Sequence, residues 1–315
     1  MLVYTIRKLL TGAVVFVSVT ALTFFLLFAR GGYEIARSFL SDTATPEQIN
    51  ARAEQLGLLR PIPAQYWDWL VELVTGASLG RSYLTNAPVV DVLMNRSPVT
   101  ISLLVVSLVL TIAMGIPLGV VAATRGGLVD RGLQIFSVTV QAIPNYGLGL
   151  ILVLVFALGL HLLPATGFVP LSRGFGPWLA TIILPSLAIA LGSIAFVGAQ
   201  IRGAMLDLMR QDFVRTLRSR GVSRRSTVFK HALRSAAPPT LTILSLQVIQ
   251  IVGGSVIVER IYALPGLGSI ALSAGNSGDL PVVLGVVAWI VVIIVAVNLI
   301  VDVLNGFLNP KARVR

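Results

Sequence analysis

Cysteine is missing from all 315 residues, which removes disulfide frameworks, thiolate metal sites and dithiol redox chemistry. Lysine occurs only at Lys8, Lys230 and Lys311, preceded by Arg7, Phe229 and Pro310. No Gly-Lys-Ser/Thr phosphate-binding loop is therefore present, and work driven by ATP needs a second protein. Histidine occurs twice, at His161 and His231, and no His/Asp/Glu cluster marks a catalytic or metal set. Neither a catalytic nor a metal-binding residue is expected. Charge is scarce as well, at 12% of residues. A soluble domain of this length needs a far more charged surface, so most of the chain must face lipid.

What is present is apolar: 56% of residues are hydrophobic and mean hydropathy is +0.89. A helix crossing the bilayer core needs about 20 apolar residues. Backbone groups there find no water, which leaves helices or closed barrels. Six long runs without period-2 alternation select helices: about Leu9–Ala29, Val99–Ala123, Leu133–Leu158, Trp178–Ala199, Pro239–Val258 and Pro281–Leu304. The first is longer than a signal-peptide core and no small-x-small cleavage site closely follows it, so it is expected as an uncleaved span. Pro117, Pro144 and Pro185 lie in or near spans and predict bends. There is no internal repeat and no low-complexity tract.

Net charge is +11, yet its placement argues for topology rather than nucleic acid. With both termini cytoplasmic, the short inner segments hold Arg7, Lys8, Arg125, Arg131, Arg202, Arg210, Arg215, Arg218, Arg220, Arg224, Arg225, Lys230, Arg234, Lys311, Arg313 and Arg315. The external segment from Arg30 to Pro98 is nearly neutral and is the one sizeable soluble portion. Within it, Tyr66, Trp69, Leu70, Leu73 and Val74 share a helical face, suited either to docking on the bundle or to lying at the membrane interface.

The spans hold no mid-membrane carboxylate or histidine of the kind ion-driven carriers use; Asp302 lies near the inner end of the last. Uncharged polar residues do occur: Gln141 and Asn145 in the third span, Gln247 and Gln250 in the fifth, Asn298 in the sixth. Gln247 and Gln250 share a face. Such residues either line a hydrophilic route or act as interhelical glue. The most informative stretch is the basic loop from Ile201 to Ala237. Gly221 divides two helix-compatible pieces, predicting a helix-turn-helix knob, and Pro238-Pro239 is suited to open the fifth span. Gripping of anionic headgroups explains its charge but not its glycine.

That loop resembles the EAA motif of ATP-binding-cassette importer permeases of the dipeptide, oligopeptide and nickel group. The residues that carry the likeness are Asp212, Phe213, Arg215, Thr216, Arg220 and Gly221, then His231, Ala232, Leu233, Arg234 and Pro238. It extends over nearly the whole chain: LGLLRPIPAQY from Leu56, Arg96–Thr100, PATG from Pro164, Leu184-Pro185-Ser186, VERIYALPGLG from Val258 and NLIVDVLNGFLNPKAR at the end. Departures include Leu217 for a small residue, Ala237 before Pro238, Ala77-Ser78 for Gly-Asp, Gly147 for an aromatic and Asn309 for aspartate.

The resemblance implies an all-α, six-helix, MetI-like transmembrane domain over residues 1–315, with an external insert at about 30–98 and a coupling loop at about 201–237. It implies a permease subunit of a peptide importer in the bacterial cytoplasmic membrane, working by alternating access. The partners it implies are a second homologous permease, two ATPase subunits that hold ATP and magnesium, and an extracytoplasmic binding protein, all in membrane lipid and without nucleic acid. This chain itself would bind no cofactor. Asp212, Phe213, Arg215, Thr216, Arg218, Arg220, Gly221, Ser223, Arg224 and His231 would form the ATPase-coupling loop. Glu259, Tyr262, Pro265, Gly266 and Gly268 would form an external gate or binding-protein contact, as a re-entrant hairpin or an ordinary loop, with Glu259 available to a peptide amino group or a partner arginine. Gln141, Asn145, Gln247 and Gln250 would line the pathway. A lone carrier or channel and a membrane enzyme are the rival classes. The cargo stays open among oligopeptide, dipeptide, glutathione-like peptide and nickel chelate.

Overall fold

A computed structural model describes residues 2–41, 43–76 and 78–308. Ala77, Asn309, Lys311, Arg313 and Arg315 therefore lie outside the described residues. The helices in chain order are α1 (Leu2–Phe28), α2 (Gly32–Arg37), α3 (Pro46–Gln55), α4 (Ile62–Gly76), α5 (Val89–Leu110), α6 (Ile116–Arg125), α7 (Gly127–Ala142) and α8 (Asn145–Leu152). They continue as α9 (Phe175–Met209), α10 (Asp212–Ser219), α11 (Arg224–Ser226), α12 (Leu233–Ile261), α13 (Leu267–Asn276) and α14 (Leu280–Leu308). Among the described residues, five helical stretches are long and apolar enough to span: Thr5–Phe28, Val89–Arg125, Phe175–Met209, Arg224–Ile261 and Leu280–Val303.

The third expected span, Leu133–Leu158, differs from one continuous helix. It is a broken pair, Gly127–Ala142 and Asn145–Gly159, bent by 100°. Pro144 is the cause. Its ring bars the preceding residue from helical geometry, and Ile143 is extended at φ −95°, ψ 122°. Pro117 acts more gently: the π-helical turn Thr111–Gly115 joins α5 to α6 just before it, where a missing N–H disrupts the regular ladder.

The described residues form two compact units. The first, built on Ile101–Leu264 and the described chain ends, is organised around α9. The most apolar stretch of that helix is 67% buried, against 17% for α1. Small residues allow this burial. A Cβ at Gly119 of α6 would stand 2.5 Å from the Gly198 carbonyl oxygen of α9, and one at Gly115 would stand 3.3 Å from that of Ile194. Gly115 and Gly119 form a small-xxx-small face of the kind that brings membrane helices into contact. Ser107 and Ser137 donate to the carbonyls of Ser186 and Ala195, both at 3.1 Å, tying α5 and α7 to α9.

The second unit comprises Ile6–Thr100 and Pro265–Val295. Phe24, Phe28, Ile35, Ala53, Trp69, Leu93, Leu267 and Leu284 share its core. The segment read as external is largely helical, and α5 begins at Val89, so Pro98 lies inside a helix rather than before one. Thr45 and Gln48 close a reciprocal capping box at the start of α3. The buried Asp279 carboxylate accepts from the Ser82 hydroxyl at 2.5 Å and the Tyr83 N–H at 3.0 Å. Burial, with the Asp279 charge, pushes the Tyr83 phenol up to about 12.

Candidate functional site

The basic loop is built differently from two short helices. Helix α9 runs on to Met209, turns through Arg210 and Gln211, and gives way to the eight-residue α10. On α10, Val214 is 1% exposed and Phe213 and Leu217 are half-buried, while Asp212, Arg215, Thr216, Arg218 and Arg220 are exposed. Asp212 opens the helix, where the dipole favours an acid. It lies 3.5 Å from Arg215, both side chains more than 80% exposed. Such a pair contributes about 0–1 kcal/mol.

Gly221 ends α10 in a Schellman motif. Its φ is +76°, its N–H donates to the Arg218 carbonyl at 3.0 Å, and the Val222 N–H donates to that of Leu217 at 3.1 Å. The Ser223 hydroxyl then accepts from the Ser226 N–H at 3.3 Å, capping a helix that continues from Arg224 through the π-helical turn Thr227–Ala232 into α12. The expected second short helix is thus the root of the fifth span. Pro238 and Pro239 lie well inside that span rather than opening it, because the cap at Ser223 starts it earlier. His231 is half-buried in the π-helical turn. Val228, Ala232 and Ala236 pack with Val197, Ile201 and Met205 of α9, giving α10 a rigid base.

Two arginines on either side of α10 reach the other basic loop. Arg202 makes a bidentate contact with Asp130 of α7, its Nη2 donating to Oδ2 at 2.6 Å, and Gln134 donates to the same oxygen at 3.1 Å. Arg224 donates to the Thr124 carbonyl, one of those left without a helical partner at the end of α6. The resemblance implies a place for Arg224 in the coupling loop; its Nη2 is engaged within its own chain. Asp130 carried no recognisable motif, and an acid in a short basic loop was the one available signal.

The four expected pathway residues come together. Gln141, Asn145, Gln247 and Gln250 line one cavity of about 600 Å³ with Pro144, Ser193 and Phe196, walled by α7, α8, α9 and α12. No lining side chain is charged. The Pro144 bend carries Asn145 between two glycines: a Cβ at Gly254 would stand 3.1 Å from its Nδ2, and one at Gly192 3.4 Å from its Oδ1. Gln141 donates to the Ser137 carbonyl at 3.0 Å, and Gln247 is 6% exposed. A second polar void of about 200 Å³ lies among Thr242, Ser245, Asn298, Asp302 and Asn305.

The segment expected as an external contact is interior. Glu259, Tyr262, Gly266 and Gly268 are buried and only Pro265 is exposed, because α12 continues past Glu259 to Ile261. Glu259 is 0% exposed, so it does not face a mouth. A re-entrant hairpin is replaced by a turn into α13. The Tyr262 hydroxyl donates to the Gly149 carbonyl at 3.1 Å, and its own carbonyl accepts from the Gly167 N–H at 3.0 Å. Burial raises its phenol pKa. Two blocks far apart in the chain, around Gly167 and Tyr262, therefore meet.

A polytopic helical membrane protein with an uncharged cavity that gathers four amide side chains, and with an amphipathic helix in one basic loop, belongs to the class of permeases. Residues 115–314 match the family described as binding-protein-dependent transport system inner membrane component, and residues 1–104 match the N-terminal part of such membrane components. The chain belongs to this family and is a multi-pass protein of the cytoplasmic membrane. It is 33% identical over 316 residues to the oligopeptide transport system permease protein AppB of Bacillus subtilis. It is 32% identical to the di/tripeptide transport system permease protein DppB of Pseudomonas aeruginosa over 335 residues, and to the glutathione transport system permease protein GsiC of Escherichia coli over 314. In each case 99% of both chains is covered.

Proposed function

We propose that this chain is the permease subunit of an ATP-driven peptide importer, a single transmembrane domain forming half of the passage. The observation that carries the cargo class is the cavity lined by neutral amides. Gln141, Asn145, Gln247 and Gln250 each offer both donors and acceptors, matching peptide main chain without selecting for side-chain charge. Relatives that carry oligopeptides, di- and tripeptides and glutathione support the same class. Both termini are cytoplasmic on the distribution of Lys and Arg.

On this reading two ATPase subunits hold ATP and magnesium, and each α10-type helix seats in a groove on one of them. A second homologous permease completes the passage and an external binding protein delivers the peptide. Closure of the ATPases pushes α10. The rigid base passes the displacement to α12, which carries Gln247 and Gln250. The Arg202–Asp130 contact passes it to α7, which carries Gln141 and ends at the Pro144 bend. The cavity thereby switches its accessible side. This chain performs no chemistry on cargo or nucleotide.

The test is reconstitution of the full complex in proteoliposomes with the external binding protein. ATP-dependent uptake of neutral and cationic peptides at comparable rates is expected. Uptake by this chain without ATPase subunits would overturn the reading.

A further inference from the structure

Helix α4 presents three faces rather than two. Tyr66, Trp69, Leu70 and Leu73 pack against the core of their unit. Gln65, Asp68 and Glu72 lie on a polar sector that joins Arg60 and Arg81 around a void of about 260 Å³, with Arg60 2.5 Å from Asp68. The remaining sector holds Trp67, Val71 and Val74, which are 64%, 40% and 79% exposed. Val74 thus separates from the stripe it was expected to share with Tyr66, Trp69, Leu70 and Leu73. In water an exposed sector between a core face and a charged face is ordinarily polar; this one is entirely apolar.

The depth of α4 says what covers it. The Tyr66 hydroxyl donates to the Val17 carbonyl at 3.1 Å and lies 3.0 Å from the Thr20 hydroxyl, while its ring meets Phe24 at 5.4 Å. At a rise of about 1.5 Å per residue, Val17 lies roughly 16 Å along α1 from its end at Phe28. That is about half of the 30 Å hydrocarbon core. The polar sector sits beside Phe28 and Pro281, where two spans end and headgroups begin. The apolar sector is continuous, through the Phe25–Tyr66 ring contact at 6.2 Å, with the exposed Leu22, Phe25 and Leu26 of α1.

We infer that α4 is an interfacial helix whose Trp67–Val71–Val74 face is seated in the acyl chains of the lipid leaflet at the Phe28 end of α1. Its Asp68–Glu72 face lies at headgroup level. Amphipathic helices of this kind bury their apolar face about 5–10 Å, and Trp favours that boundary. The leaflet is the outer one, which rests on the orientation proposed above.

Absence of cysteine makes the test direct. Val71→Cys, Val74→Cys, Glu72→Cys and Glu47→Cys each give this chain a single thiol, to be spin-labelled in the complex assembled with cysteine-free partner subunits in lipid vesicles. Labels at 71 and 74 are expected to collide several-fold more with oxygen than with a water-soluble nickel chelate, and those at 72 and 47 the reverse. A nickel-accessible label at 74 means water covers this face and overturns the inference. Low collision with both reagents means protein covers it, and overturns it equally. Separately, an impermeant thiol reagent added outside should label Glu47→Cys in intact cells. Labelling only after permeabilisation overturns the orientation, while the collision ratio at 74 still decides lipid contact.

Discussion

Helices α10 and α4 are both short and amphipathic, and both bury an aromatic-containing face, yet their exposed faces carry opposite chemistry. On α10 the outer side is Arg215, Thr216, Arg218 and Ser219, which suits water and an acidic or polar partner. On α4 it is Trp67, Val71 and Val74, beside a separate charged sector. Their ends differ as well. A Schellman turn, a serine cap and contacts of the flanking Arg202 and Arg224 with the earlier basic loop hold α10, so that a push on it is transmitted. A hydroxyl at the depth of Val17 holds α4, so that it stays put. Amphipathicity alone therefore says that a helix lies on a surface; the composition of its exposed arc says which surface.

The sharpest way to break the α10 side is Gly221→Val. A β-branched residue at φ +76° costs on the order of 1–3 kcal/mol and displaces the turn. Peptide uptake is expected to be lost while membrane fractionation shows normal insertion; near-normal uptake would refute the lever. Next comes the arginine contact that should separate transmission from docking. Asp130→Ala or Arg202→Ala removes a bidentate pair that links α9 to α7. Uptake is expected to fall several-fold while ATPase turnover of the complex continues. The double variant should be no worse than either single one, and the swap Asp130→Arg with Arg202→Asp should partly restore transport.

Matched glutamates test the exposed faces directly. Val74→Glu places charge where acyl chains are proposed, and should cost about 1–3 kcal/mol, read as a lower melting temperature in lipid. Thr216→Glu should leave melting unchanged and weaken only association with the ATPase, measured by co-purification. Equal melting shifts would erase the distinction between the two helices. Smallest of all, Arg215→Ala removes an exposed i,i+3 pair worth about 0–1 kcal/mol, so uptake should change less than about twofold.

The positions of the spans and the turn at Gly221 were legible because each depends on residues close together in the chain. An apolar run of sufficient length spans, and a glycine between helix-compatible pieces permits a left-handed turn. The Pro144 bend was half legible: the proline announced a bend, but not that the third span would break by 100° and turn Asn145 between Gly192 and Gly254. Clustering of Gln141, Asn145, Gln247 and Gln250 was offered as one of two alternatives, and only their arrival at one cavity brings them together. Glu259 was misread because a carboxylate near a span end looks external until the packing of its helix is known. For Arg224, no local pattern announced that its guanidinium donates to a helix-terminal carbonyl a hundred residues earlier.

By itself, then, the amino-acid order determined that the chain lives in a bilayer, lacks a Gly-Lys-Ser/Thr phosphate-binding loop and places a stopped helix in its most basic loop. These are properties of composition, run length and local backbone conformation. Only the tertiary structure decided which polar groups share a cavity, which arginines are already occupied and which side of α4 is left apolar. Burial and pairing belong to residues that meet from distant parts of the chain, and no local pattern encodes who will be there.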